Sequence, residues 1–309
     1  MSGMYAAISG LTAHQTMLDV VGNNLANVDT VGYKSQRATF VDELSQLQRP
    51  ATAGTALIGG TNPVQIGLGV EVGSIDNLMG QGSLQTTGNA TDIAIQDDGF
   101  LAVQAGYPTN STDPSTTAPT WNPATGAPLQ FTRAGNLALT PFTDATGTES
   151  YLTTQSGQYV LGTSATAGPL TAATTTAPTW APIEIPAGAT NVAIANNGQV
   201  TYTDSAGAQQ TAGYIALATM TNEAGMQRDG NSLWSLSVNN APQATAVTYG
   251  QPNTGAFGET LSGQLEMSNV DMATEFTNMI QAQRGYQANA QTITTADQMM
   301  QTVVQMKQG

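Results

Sequence analysis

The sequence predicts an α+β protein. A helix at each terminus flanks a central, mainly antiparallel β domain, and the two helices can meet only each other or other chains. Two observations predict this. Apolar residues recur every seven positions at both ends of the chain, whereas in the middle they alternate in short runs cut by turn residues. The boundaries that follow are 1–35 for the first helix, 36–70 for an extended linker, 71–266 for the β region and 267–309 for the second helix.

In the first segment Met4, Leu11, Leu18 and Leu25 fall seven apart, with His14 in the flanking column beside Ala7, Val21 and Val28. This is the spacing of a helix that buries one narrow stripe. Gly3, Gly10, Gly22, Asn23 and Asn24 are poor helix formers, so such a helix needs packing partners to be stable. Asn27 can take the left-handed conformation, and Gly32 is free to do so. The helix therefore exits through Asp29-Thr30-Val31-Gly32, and Tyr33 and Lys34 begin a new direction.

The linker, "AGTALIGGTNPVQIGLG", is rich in glycine. Beyond it, runs such as "TDIAIQDDGFLAVQ", "NVAIANNGQVTYTD" and "GYIALATM" alternate apolar and polar residues. "DDG" and "NNG" mark tight turns between them. Segments 106–128 and 162–182 are rich in Thr, Ala and Pro and have no period, so they read as exposed, mobile insertions.

In the last segment Met272, Met279, Tyr286, Ile293 and Met300 are seven apart, with Phe276 and Val304 in the flanking stripe. Ser268 or Asn269 can cap this helix, with Asp271 in its first turn. A helix of about 35 residues spans roughly 50 Å. Outside the stripes both helices carry Asn, Gln, Thr, Ser, Gly and Ala rather than the Lys and Glu pairs of a solvated helix. Such faces suit packing on several sides, which points to assembly.

Composition narrows the function. The 309 residues contain no cysteine and a single histidine, so disulfides, thiolate metal sites and multi-histidine centres within one chain are excluded. Only 9% of residues are charged, and the net charge is −14. That opposes binding to nucleic acid or to an anionic membrane. The acidity lies in the middle: residues 51–265 hold thirteen acidic and two basic groups. The start has neither a basic n-region nor a continuous apolar h-region, so it does not read as a Sec signal. Asp97-Asp98 could be read as a carboxylate pair, but the following Gly99 makes it a turn. The glycines of "GLGVEVG" lack the setting of a phosphate loop. No nucleophile elbow is present, and no cofactor site is expected. A β-rich adhesin or binding module is the other class that this composition fits.

The stretch "GNNLANVDTVGYKS" resembles the signature of the bacterial flagellar rod and hook family, matched at Asn23, Asn24, Ala26, Asn27, Thr30, Gly32, Tyr33 and Lys34. "LEMSNVDMATEFTNMIQAQRGYQANAQTI" and "FTRAGNLAL" are similar to the same family. Within it, "IGGTNPVQIGLGV" and "SGQLEMSNVD" look most like hook proteins in their short form, with distal rod proteins as the alternative. The resemblance implies a non-enzymatic subunit of a helical homopolymer in the flagellar hook or basal body. A hook subunit would form the flexible joint that passes torque to the filament. It implies export unfolded through the flagellar type III machinery, and partners among the rod, hook-cap and hook–filament junction proteins. It also implies that the N- and C-terminal helices pair as a coiled coil whose stripes line an inner tube as subunit interfaces. Arg284, in the middle of the second helix, could bridge to Asp or Asn groups of a neighbouring chain, with a solvated head as its default.

Overall fold

The computed structural model describes residues 2–54, 59–109, 120–123, 128–144, 147–165, 168–169, 181–237, 247–255 and 257–308. The chain divides into two compact units. Unit 1 contains Met1–Asn27, Gln36–Leu78 and Val270–Gly309; unit 2 contains Val28–Ser35 and Met79–Asn269.

In unit 1, helix α1 (Ser2–Ala26) and helix α2 (Met272–Gln308) pack on each other. The pairing is antiparallel. Gly10 lies against Asn289, His14 against Gly285, and Asn24 donates to Glu275 at 2.9 Å. The helices approach closely at these glycines. A Cβ on Gly10 would lie 2.7 Å from the Asn289 amide, and one on Gly285 would lie 2.5 Å from the His14 ring. The residues that weaken each helix alone are thus the ones that let the pair close. α2 is capped by Asp271 rather than by Ser268 or Asn269. Its carboxylate accepts the Ala273 N–H at 3.0 Å and the Thr274 hydroxyl at 2.8 Å, and these bonds hold its pKa below the ordinary range.

Residues 36–70, expected as an extended linker, form strands instead. Gln36–Asp42 pairs antiparallel with Val70–Asn77, and Ser45–Arg49 pairs with Val64–Gly67. The strand partners are far apart in sequence, and much of this ribbon is solvent-exposed. It therefore has no core-facing period for a sequence reading to detect.

Unit 2 is built on a large antiparallel sheet. Its main path runs Thr190–Ile194, Gln199–Thr203, Gln209–Ile215, Tyr159–Ser164, Phe100–Gln104, Gln130–Thr132, Leu233–Ser235, Gln227–Gly230. Phe100–Gln104 lies at its centre and is covered on both faces. Leu101 and Val103 join Ile93, Leu152 and Ile215, while Phe100 and Ala102 join Phe131, Leu161 and Trp234. Period-two alternation in one strand thereby feeds two cores. The "DDG" stretch is the turn between Ile93–Gln96 and this strand, with Asp97 at φ 69°. Of the two expected insertions, Gly106–Thr109 and Thr120–Pro123 form an antiparallel ribbon, and Ala181–Pro182 pairs with Tyr159–Ser164. Residues 110–119, 124–127, 166–167 and 170–180 of these insertions lie outside the described residues.

Candidate assembly surfaces

The buried face of α1 is made of small residues. Ala7, Gly10, Ala13, Val20, Val21 and Asn24 are buried, whereas Met4, Leu11, Leu18 and Leu25 are half-buried. In α2, Glu275 and Ala282 are buried, and Met279 and Ile293 are half-buried. Met272, Phe276, Arg284, Tyr286, Met300 and Val304 are exposed. The large apolar residues of the heptad therefore flank the helix contact instead of filling it. α2 is also the longer helix, 37 residues against 25. With Gly10 against Asn289, its last turns extend beyond the start of α1. There Met299, Met300, Val303, Val304 and Met306 are all exposed.

The Asn-rich exit of α1 has a specific use. The Asn24 carboxamide pairs with the backbone of Gln36, accepting its N–H at 2.9 Å and donating to its carbonyl at 2.8 Å. It acts as a strand residue would, fixing the start of Gln36–Asp42 against the helix end. Asn27 folds back to bond Asn23, donating to its carbonyl at 2.9 Å and its side-chain oxygen at 2.7 Å. Ala26 ends the helix. Among the residues proposed for the turn, Gly32 takes the left-handed conformation, at φ 67°, whereas Asn27 does not. A Cβ on Gly32 would lie 2.7 Å from the Ala134 nitrogen, so both space and φ demand glycine.

Residues 28–35, expected as part of the helical segment, form a strap within unit 2. The helix-terminal signature and the segment before α2 meet there. Lys34 is buried and donates to Glu266 at 2.7 Å and to the Gly80 carbonyl at 3.0 Å. Glu266, fully buried, also accepts the Gly82 N–H at 2.9 Å and faces Arg133 at 3.5 Å. Burial and the Arg133 charge pull the Lys34 pKa down, against the opposing pull of Glu266. Arg228 lies over the Tyr33 and Trp234 rings, at 4.6 and 4.7 Å, and donates to the Lys34 carbonyl. Asn269 accepts the Ser35 N–H at 2.7 Å and donates to the Gly80 carbonyl at 2.9 Å. Thr30 and Val28 are half-buried in the same strap.

Sequence reasoning missed Arg133, Arg228, Glu266 and Glu275. A signal was available for Glu266: in a chain with 9% charge, a lone ion inside the otherwise uncharged strand Gln264–Glu266 is costly to bury unless it is paired. A cleft of about 320 Å³ beside the strap is lined by Thr30, Thr132, Asn136, Thr154, Gln155 and Asn231 among others, and none of its lining residues is ionisable. Among the described residues, no cluster of His, Asp or Glu could hold a metal, and no helix is long and apolar enough to cross a membrane.

Two sequence families match the two ends. Residues 4–34 match the flagella basal body rod protein family, and residues 261–306 match the flagellar basal body rod FlgEFG protein C-terminal family. The flagellar basal-body rod protein FlgG of Bacillus subtilis is 38% identical over 304 residues, which cover 98% of each chain. The chain belongs to the flagellar rod and hook family of axial proteins. It is a structural subunit, not an enzyme. FlgG of Caulobacter vibrioides is similar to it at 32% identity over 99% of this chain and 100% of that one. The flagellar hook protein FlgE of Borreliella burgdorferi is 29% identical over 99% of this chain, but over an alignment of 444 positions.

These comparisons overturn the expected likeness to hook proteins. The rod proteins match at nearly equal length, whereas the hook protein matches only around long stretches that this chain lacks. Of the motifs that suggested a hook, "SGQLEMSNVD" holds Glu266 and leads into α2, and "IGGTNPVQIGLGV" contributes Val64–Gly67 to the ribbon of unit 1.

Proposed function

We propose that this chain is a distal-rod subunit of the flagellar basal body, which polymerises with copies of itself through unit 1. The observation that carries this is where apolar surface is left open. Among the residues whose side chains the structure describes, every exposed large apolar side chain except Leu139 belongs to unit 1. They include Tyr5 and Ile8 on α1, Leu44 and Leu47 on the ribbon, and Met272, Phe276 and Ile280 on α2. A surface this apolar needs neighbours. The half-buried column Met4, Leu11, Leu18 and Leu25, with Met279 and Ile293, sets the helix pair against them, whereas Val21 is buried inside the pair and Val28 belongs to the strap. Met272, Phe276, Tyr286, Met300 and Val304 supply contacts to adjoining copies, and Arg284 bridges to their polar groups. Contacts between unlike faces of identical chains do not close into a dimer and extend into a tube.

The end-to-end likeness to rod proteins favours a rod over any other axial position. Its neighbours are then further copies of itself and the axial proteins on either side. It reaches its place unfolded, through the flagellar type III export machinery. Electron microscopy of basal bodies from cells lacking the gene tests the reading. A truncated rod is expected. A complete rod without a hook would refute it.

A further inference from the structure

Unit 2 has three cations: Lys34 and Arg133 are buried, and Arg228 is half-buried. Lys34 and Arg133 are buried on Glu266, while Arg228 is stacked on Tyr33 and Trp234 and spent on the Lys34 carbonyl. The acids of unit 2 outnumber them: Asp29, Asp97, Asp98 and Asp229 are exposed, Glu149, Glu184, Asp204, Glu223 and Glu259 are half-buried, and Asp92 and Glu266 are buried. The exterior of unit 2 is thus anionic, with no exposed lysine or arginine to compensate. Unit 1 differs, since Arg37, Arg49 and Arg284 all reach solvent there. Among the residues whose side chains the structure describes, unit 2 exposes one large apolar side chain, Leu139.

We infer that the exterior of unit 2 is a self-repelling surface that opposes the approach of neighbouring copies, so that assembly requires counterions and strengthens as salt is raised. The physical reason is direct. Charges of one sign on identical units repel wherever the units come within a Debye length, about 10 Å at 0.1 M salt. No cation on the facing copy offsets this, and added salt removes it. An interface held by ion pairs would weaken with salt, so the sign of the effect is diagnostic.

The inference rests on the polymer reading, and the experiment separates the two. The critical concentration for assembly of the full chain is measured against sodium chloride. It should fall several-fold between about 20 and 500 mM as screening sets in. Asp29→Asn/Asp97→Asn/Asp98→Asn should assemble at low salt and lose most of that dependence. Asn is well tolerated at the left-handed Asp97. Asp19→Asn/Asp42→Asn/Asp297→Asn, which removes the same charge from unit 1, should keep it. A critical concentration that rises with salt, or equal flattening by both triple variants, overturns the inference. If no polymer forms at any salt, the rod reading fails, and static light scattering of the monomer decides the inference. Low-salt repulsion must then drop more for the unit 2 variant than for the unit 1 variant; equal drops overturn it.

Discussion

Unit 1 and unit 2 solve the problem of apolar surface in opposite ways. Unit 2 closes on itself. Its central strand feeds two cores, and its ionic residues Lys34, Arg133 and Glu266 are paired inside. Unit 1 is left open. Its helices meet through Ala, Gly and Asn, while Met, Leu and Phe side chains remain half-buried or exposed. A two-stranded ribbon is marginal in water by itself, yet unit 1 carries one with Val41, Leu44 and Leu47 exposed. The difference shows that one chain can divide its labour. One unit is a closed body, and the other carries the apolar surface that the proposed function assigns to assembly.

The sharpest way to break this comparison is to place a charge in the helical stripe. Leu18→Asp and Met279→Asp are each expected to abolish assembly, because a carboxylate buried between subunits costs several kcal/mol or must take up a proton. The tryptophan fluorescence and thermal midpoint of unit 2 should be unchanged, since Trp234 lies in its core. Swimming and rod microscopy in a strain lacking the native gene are the readout. Normal rods from both variants would show that the open surface of unit 1 is not the polymer contact.

The converse change strikes unit 2. Glu266→Ala leaves Lys34 and Arg133 buried without their carboxylate, and it strips the Gly82 N–H of its acceptor. Breaking a buried pair in this way costs about 3–5 kcal/mol. The unit should unfold at a markedly lower temperature, and the strap 28–35 should become protease-sensitive. Lys34→Met is expected to cost less, because Arg133 remains to face Glu266. Equal losses would mean that Arg133 contributes nothing to the lock.

A smaller effect is expected inside unit 1. Asn24→Ala removes the amide that bonds the Gln36 backbone at both its N–H and its carbonyl, and it leaves Glu275 without its donor. One unsatisfied buried group costs about 1–3 kcal/mol. Faster amide exchange at Gln36 and at the end of α1, with unit 2 protection intact, would place the loss where the geometry puts it. Loss of protection across both units would instead mean that they fold as one.

The parts legible in the sequence were those whose signal is local. Heptads announced both helices, and "DDG" announced a turn. The strap was not legible, because Lys34 and Glu266 are 232 positions apart and nothing local marks them as a pair. The ribbon at 36–70 escaped because a strand pair with little burial has no burial period. The helix contact was misjudged in detail. Heptad reasoning favours the largest apolar residues, but at Gly10 and Gly285 close approach selects the smallest.

The smallest expected effect probes the polar edge of unit 2. Glu184 stands opposite Tyr151 in the strand register, and the Tyr151 hydroxyl donates to Glu149 at 2.9 Å. Burial, then repulsion from Glu149, pushes the Glu184 carboxyl up to about 7 from an ordinary 4.5. The folded unit therefore holds this proton more tightly than the unfolded chain does. Its contribution to stability is complete below pH 4.5 and is lost as pH rises through about 7. Glu184→Gln keeps the shape and cannot ionise. Over that window the thermal midpoint of the wild-type chain should decline, and that of the variant should decline less. Glu223 is also pushed up by burial, so Glu223→Gln serves as the comparison. If Glu184→Gln leaves the decline unchanged while Glu223→Gln flattens it, the softening of unit 2 over this window belongs to Glu223, near Lys34 and Arg133, and not to its outer edge.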